Sequence, residues 1–190
     1  MIPAKLTGKE LEQLVVEQNE VYKKNKLASV GRYGVQATMI RNRQTQAVET
    51  QLHQSLPDFE GVRFGGKQVI FDCKVCSQAS FNLSPYRPEL RGNKYRQLKH
   101  MFERDEFGSE CWLLIHWNLR EMKTKVIDAQ TWVFPVSLRM EFWQRFLASE
   151  ERAITLAHCE AYGRYVYWET SGDRGTKYRP AYLPQVGALI

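Results

Sequence analysis

Gly65-Gly66 stands between two β-prone runs, Val62-Arg63-Phe64 and Lys67 to Val75, and a glycine pair in that position reads as the turn of a β-hairpin. Along the second arm, Ile70-Phe71-Asp72-Cys73-Lys74-Val75, successive side chains point to opposite faces. Asp72 and Lys74 therefore project together, while Phe71, Cys73 and Val75 point the other way. Such a strand has one face in a core and the other in a cleft. Register decides what joins that cleft. With a three-residue loop of Gly65, Gly66 and Lys67, Asp58 opposes Lys74 and shares its face; with a two-residue loop it opposes Cys73 and faces the core.

The rest of the chain supplies the layers. Thr7-Gly8-Lys9-Glu10 reads as a capping box, and Leu11, Leu14, Val15 and Tyr22 then form one helical stripe with Glu12 at its edge. Ala28 to Ile40 is β-like, Asn42 to Leu56 a Gln-rich helix or projecting loop, and Asn93 to Arg104 a helix. Cys111 to Trp117 and Lys125 to Phe134 read as strands, and Ser137 to Ala148 as an amphipathic helix. The alternation predicts a mixed α/β domain with one central sheet. At 190 residues the chain suits a single domain spanning 1–190. No apolar run approaches the roughly 18 residues of a bilayer span, and the N-terminus lacks the apolar core of a signal peptide. The expectation is a cytoplasmic protein without membrane contact, its four cysteines reduced.

Charge is unevenly spread. The net charge is +6, with 27 Lys+Arg against 21 Asp+Glu. Lys23, Lys24, Lys26, Arg32, Arg41 and Arg43 fall in a stretch, Val21 to Val48, that has no Asp or Glu. Arg87, Arg91, Lys94, Arg96 and Lys99 are opposed only by Glu89. Interleaved tyrosines (Tyr22, Tyr33, Tyr86, Tyr95) suit contact with a nucleic-acid backbone, where each cation neutralises a phosphate. A solvated charged face has the same composition.

The chemistry sits at the hairpin. Asp72 can hold a divalent cation, and Lys74 beside it can steady an attacking water or the charge building on a phosphate. Mg²⁺ takes several oxygen ligands, so one carboxylate is too few. Asp58 and Glu12 are the candidates to complete the set. An isolated Asp-x-Lys is also what an exposed ion pair on a strand looks like. Cys73-x-x-Cys76 does not make a zinc site on a continuous strand, because residues three apart face opposite sides. His116 reads as a strand histidine, and adjacent His158 and Cys159 point apart, which disfavours a catalytic dyad.

Together these residues resemble a known family. Pro57-Asp58, then Asp72-Cys73-Lys74, resemble the PD-(D/E)xK arrangement of metal-dependent nucleases. Finer features are similar to the RecU family of Holliday junction resolvases. Gly8, Glu12, Asn19 and Tyr22 stand at the intervals of its opening motif. Asp58-Phe59-Glu60-Gly61-Val62 resembles its hairpin, Val69 through Lys74 its catalytic strand, and Phe81-Asn82-Leu83 its Phe-x-Leu. Its following His-Gln pair is matched by Gln97 alone, since Arg96 replaces the histidine. Ala153-Ile154 and Ala161-Tyr162-Gly163 resemble its C-terminal strand and turn. The likeness runs from about residue 8 to 163.

The resemblance implies a restriction-endonuclease-like fold, a mixed central sheet flanked by helices, and a metal-dependent, structure-specific DNA endonuclease. It implies Glu12, Asp58, Asp72 and the carbonyl of Cys73 as ligands of Mg²⁺ or Mn²⁺, Lys74 as the catalytic lysine, and Gln97 as a group positioning water or phosphate. Lys23, Lys24, Arg32, Arg41, Arg43, Arg91 and Lys94 would track DNA. The implied partner is a four-way junction held by a homodimer, with residues 41–56 as a stalk-like projection and 164–190 as a C-terminal extension. A sequence-specific or phage-type endonuclease on the same scaffold, and a DNA-binding module without catalysis, are the alternatives. The departures are Asp72 where the family usually has Glu, one extra residue between Asp58 and Asp72, and a stalk that is not strongly basic past Arg43.

Overall fold

Thr7 opens the first helix as anticipated: its Oγ1 accepts from the Glu10 amide at 3.3 Å, and the Glu10 carboxylate accepts from the Thr7 amide at 2.7 Å. This computed structural model describes residues 2–33, 36–41, 48–53, 56–121, 126–171 and 177–183. Helix α1 (Gly8–Lys24) is followed by strands β1 (Ala28–Arg32), β2 (Gln36–Arg41), β3 (Val48–His53), β4 (Phe59–Arg63), β5 (Gln68–Cys76) and β6 (Ser80–Asn82). Two short 3₁₀ turns, Ser84–Tyr86 and Pro88–Leu90, lead into α2 (Asn93–Glu106) and β7 (Glu110–Trp117). Next come β8 (Arg120–Glu121), β9 (Val126–Ile127), β10 (Gln130–Pro135), α3 (Glu141–Leu147) and β11 (Ala153–Thr155). The last elements are α4 (Leu156–Tyr162), β12 (Arg164–Tyr165), β13 (Tyr167–Ser171) and β14 (Lys177–Ala181).

A six-stranded sheet in the order β1-β4-β5-β7-β10-β12 divides the core. Its β5–β7 pair is parallel and the other pairs are antiparallel, so the sheet is mixed, as the sequence implied. Strand β7 lies between β5 and β10, and all its residues from Cys111 to Trp117 are buried, which explains its near-continuous apolar run. Successive residues of β5 feed opposite cores. Val69, Phe71 and Cys73 join Leu11, Val15 and Tyr22 of α1, while Ile70 and Cys76 join Leu98, Met101 and Phe102 of α2. The ring of Phe71 stacks between Phe59 at 5.0 Å and Trp112 at 5.4 Å, tying β4, β5 and β7 together.

Several sequence expectations need correcting. Within the Gln-rich segment, Val48–His53 forms β3, paired with β2, where a helix or projecting loop was expected; Thr38, Ile40, Val48 and Thr50 are β-branched residue types that favour strands. Residues 42–47, including Arg43, lie outside the described residues. Where one strand was expected from Lys125 to Phe134, β9 ends at Ile127 and β10 begins at Gln130. Helix α3 starts at Glu141 and not at Ser137, because Ser137 is used differently: its carbonyl accepts from the Met140 amide and its hydroxyl donates to Asp105 at 2.6 Å. In the C-terminal region β13 pairs with β14, and Tyr182 and Leu183 are buried against α1. Among the described residues no helix is long and apolar enough to cross a membrane.

Two outcomes test this core. Phe71→Ala empties the space between two stacked rings and is expected to lower unfolding free energy by about 3–5 kcal/mol in denaturant titrations. His116 is fully buried with Nδ1 2.8 Å from Thr131 Oγ1, and burial pushes its pKa down to about 4. The unfolded chain therefore takes up this proton first. Stability from this residue is intact above about pH 6.5 and is lost as the pH falls toward 4, by about 3 kcal/mol. Unfolding curves at pH 7.5 and 4.5 should show that loss for the wild type and a smaller one for His116→Asn.

Candidate active site

The β4–β5 hairpin brings Asp58 and Asp72 together. Arg63 N–H donates to the Lys67 carbonyl at 3.0 Å, so the loop is Phe64, Gly65 and Gly66, with both glycines in the left-handed region at φ 87° and 78°. The turn has the odd length the sequence required, but it lies one residue earlier than the loop drawn from the sequence. Phe59 pairs with Phe71, so the next step of the register sets Asp58 opposite Asp72 and not opposite Lys74. The face is unchanged. Two hydrogen bonds lock the pair: the Asp58 amide donates to Asp72 Oδ1 at 3.3 Å, and the Cys73 amide donates to Asp58 Oδ2 at 2.8 Å.

Lys74 completes this cluster. Its Nζ forms an ion pair with Asp72 Oδ2, the lysine side chain being 18% exposed and the aspartate 1%. Burial, with the neighbouring Asp58 adding to it and Lys74 pulling the other way, raises the Asp72 pKa to about 7. Burial alone would lower the Lys74 pKa, but the Asp72 charge, with Tyr86 and Asp58 adding to it, raises it instead. The Cys73 thiol is pushed well up by burial and by the surrounding carboxylates. It faces the α1 core while Cys76 faces the α2 core, so the two sulfurs of Cys-x-x-Cys lie on opposite sides of the sheet.

Glu12 reaches the edge of the same cluster from α1. Its pKa is raised by burial and then by the Asp58 charge, with Arg32 and Lys74 opposing. The carboxylate pairs with Arg32 Nη2 at 3.4 Å, both side chains being partly exposed. A pair of that kind contributes less than about 1 kcal/mol, so turning Glu12 toward Asp58 costs little. Among the described residues no three His, Cys, Asp or Glu side chains close on one point to hold an ion. The donor chemistry nonetheless suits a hard divalent cation: two carboxylates in contact, a third within their field, and raised pKa values that a positive ion would relieve.

The other expected residues are distributed around this cluster. Gln97, on α2, donates from Nε2 to the Leu56 carbonyl at 2.9 Å and so fixes the chain leading into Asp58. Lys94 sits beside it, with Nζ 5.6 Å from the Tyr86 ring centroid, and Arg91 is exposed with φ 47°. Lys23 and Lys24 are exposed at the C-terminal end of α1, eleven and twelve residues from Glu12 and so roughly 16–18 Å along the axis. Arg41 lies on β2. Adjacent His158 and Cys159 form no dyad: His158 Nδ1 accepts from the Thr155 amide at 3.3 Å, and Cys159 is buried.

Tyr86 was read from the sequence only as an aromatic among cations. It is buried at the end of a 3₁₀ turn, its ring 5.8 Å from Phe81. Burial pushes its pKa up to about 12; the Lys74 charge and a hydrogen bond with the Lys74 side chain pull it down, and the Asp72 and Asp58 charges push it up. The hydroxyl thus stands within the field of the cluster. The Ser84-Pro85 turn, which swings Tyr86 back toward β5, was the signal that could have found it.

Compared with known families, the chain matches one model, described as RecU: Recombination protein U, over residues 6–172. The match includes every motif from Gly8 to Gly163 that carries the resemblance. No curated protein matches the chain.

The buried pair has a measurable consequence. Lys74→Met strands the Asp72 carboxylate at 1% exposure and is expected to destabilise the protein by about 3–5 kcal/mol near pH 8. Adding Asp72→Asn should restore most of that loss in denaturant unfolding.

Proposed function

The chain belongs to the Recombination protein U family, whose members are Holliday junction resolvases, and we propose that it cuts branched DNA by metal-dependent hydrolysis of phosphodiesters. The observation that carries this reading is the convergence of Asp58, in the bend just before β4, and Asp72, on β5, beside a largely buried lysine. Glu12, Asp58 and Asp72 hold Mg²⁺ or Mn²⁺, with the Cys73 carbonyl as a further oxygen ligand. When bound, the metal activates a water and neutralises charge on the scissile phosphate. Lys74 supplies a fixed positive charge where the transition state becomes more negative, or orients the water. Gln97 acts through the Leu56 carbonyl, keeping Asp58 at its place opposite Asp72.

The cations extend the site toward the substrate. Arg32 and Lys94 flank the acidic cluster, and Lys23, Lys24, Arg41, Arg43 and Arg91 continue the contact with the DNA backbone. Cutting a four-way junction symmetrically calls for two such sites, hence a two-fold homodimer. Residues 41–56, which include β3, serve as the stalk-like projection, and 164–190 extend the single domain beyond the family's last motif.

Asp72→Asn should cut a synthetic four-way junction about a hundredfold or more slowly than wild type in Mg²⁺, with junction binding retained. Equal rates for variant and wild type would remove Asp72 from the site. Parallel assays on linear duplexes of varied sequence separate junction recognition from sequence specificity. Salt-sensitive binding with no cleavage in any metal would mark a binding module.

A further inference from the structure

We infer that Tyr86 orients the Lys74 ammonium, leaving one N–H in a set direction for a phosphate oxygen or the attacking water. This role rests on the reading of Lys74 as the catalytic lysine beside the cation site of Glu12, Asp58 and Asp72. A lysine is ill suited to aim a proton by itself, because its charge ends a flexible four-carbon stem. The ammonium carries three N–H donors and no acceptor. One donor goes to Asp72 Oδ2. Another goes to the Tyr86 hydroxyl, which accepts it through a lone pair. Two fixed donors on a tetrahedral nitrogen fix the direction of the third.

Tyr86 is held firmly enough to serve as that second anchor. It is 2% exposed and closes the Ser84–Tyr86 turn, where Pro85 fixes a backbone angle and the Tyr86 amide donates to the Leu83 carbonyl at 2.9 Å. Its ring is flanked by Phe81 and by the Lys94 ammonium, 5.6 Å from the centroid. The Lys74 side chain keeps 18% of its surface exposed, which leaves the third donor open to a substrate. A cation does not disturb the arrangement. An Asp72 oxygen that accepts one hydrogen bond keeps a lone pair for the ion, so Lys74 stays where it is. Phenylalanine at position 86 would fill the same space and hold no ammonium. Lys74 would then pivot about its contact with Asp72. The loss is felt in the transition state, where negative charge grows, and not in substrate binding.

Tyr86→Phe tests this by removing one oxygen. Its kcat on a synthetic four-way junction in Mn²⁺ is expected to fall about tenfold, with KM and the calorimetric Mn²⁺ affinity within about twofold of wild type. In a Lys74→Gln background the same substitution should cause no further loss, because no ammonium remains to be directed. Lysine ¹H–¹⁵N spectra need no Lys74 variant. There the Nζ protons of Lys74 should exchange with water several-fold faster in Tyr86→Phe than in wild type. Wild-type kcat in Tyr86→Phe, the same loss in both backgrounds, or an unchanged exchange rate would overturn the inference. If Lys74→Gln cuts slowly while Tyr86→Phe cuts at the wild-type rate, the role of Tyr86 fails and that of Lys74 stands. If Lys74→Gln or Asp72→Asn cuts as fast as wild type, the reading of the site fails and takes the role of Tyr86 with it.

Discussion

An ion pair removed from water governs how this molecule is built. Asp72 lies in the middle of β5 at 1% exposure, where an unpaired carboxylate would not stay charged. Lys74, two residues along the same strand face, supplies the compensating charge, and the Asp58 amide supplies a hydrogen bond. Both depend on the strand pairing around them. The Lys74 placement requires an unbroken period of two through β5, and the Asp58 placement requires the β4–β5 register. A slip of one residue would exchange the charged face for Phe71 and Cys73. Such a slip would turn two charges into the α1 core and pull Phe71 out from between Phe59 and Trp112, so the aromatic stack and the acidic cluster enforce the same register from opposite faces.

The helices act on this frame from both sides. Helix α1 closes the core behind Phe71 and carries Glu12 to the rim of the cluster. Its far half is tied down by residues distant in sequence: the Tyr182 hydroxyl donates to Asn19 Oδ1, and the Leu183 amide donates to the Tyr22 hydroxyl at 3.2 Å. Helix α2, on the other face, presents Gln97 to the Leu56 carbonyl. Each catalytic candidate is therefore set by an element that also packs a core. Asp58 is the exception: it lies in the bend just before β4, and α2 holds that bend through the Leu56 carbonyl.

Local patterns were legible where chemistry and geometry act over a few residues. The capping box at Thr7, the alternation along β5 and the apolar run of β7 each state their structure in their own sequence. The register of Asp58 was legible only to within two residues, because it turns on which three residues close the loop. The φ values of Gly65 and Gly66 decide it. Ser137 misled because its amphipathic surroundings suit a helix, while its hydroxyl is bound to Asp105, thirty-two residues away. Tyr86 and the partners of Asn19 went unread for the same reason. Their significance comes from long-range contacts that no local periodicity encodes.

Charge placement links ion and substrate. Two carboxylates in contact, with Glu12 beside them, set a negative field where a phosphate has to approach. Arg32, paired to Glu12, stands close enough to temper that field, and Lys94 lies over the Tyr86 ring, whereas Lys23 and Lys24 lie a helix length away. On the reading of the carboxylates as a cation site, a divalent ion would offset most of their charge and weaken the hold of Glu12 on Arg32. The guanidinium would then be available to a phosphate. Ion binding and backbone binding would thereby favour one another at the cluster, while contacts made by the distant lysines would not depend on the ion. The net charge of +6 is modest because the same chain must hold acids at its centre and cations at its rim.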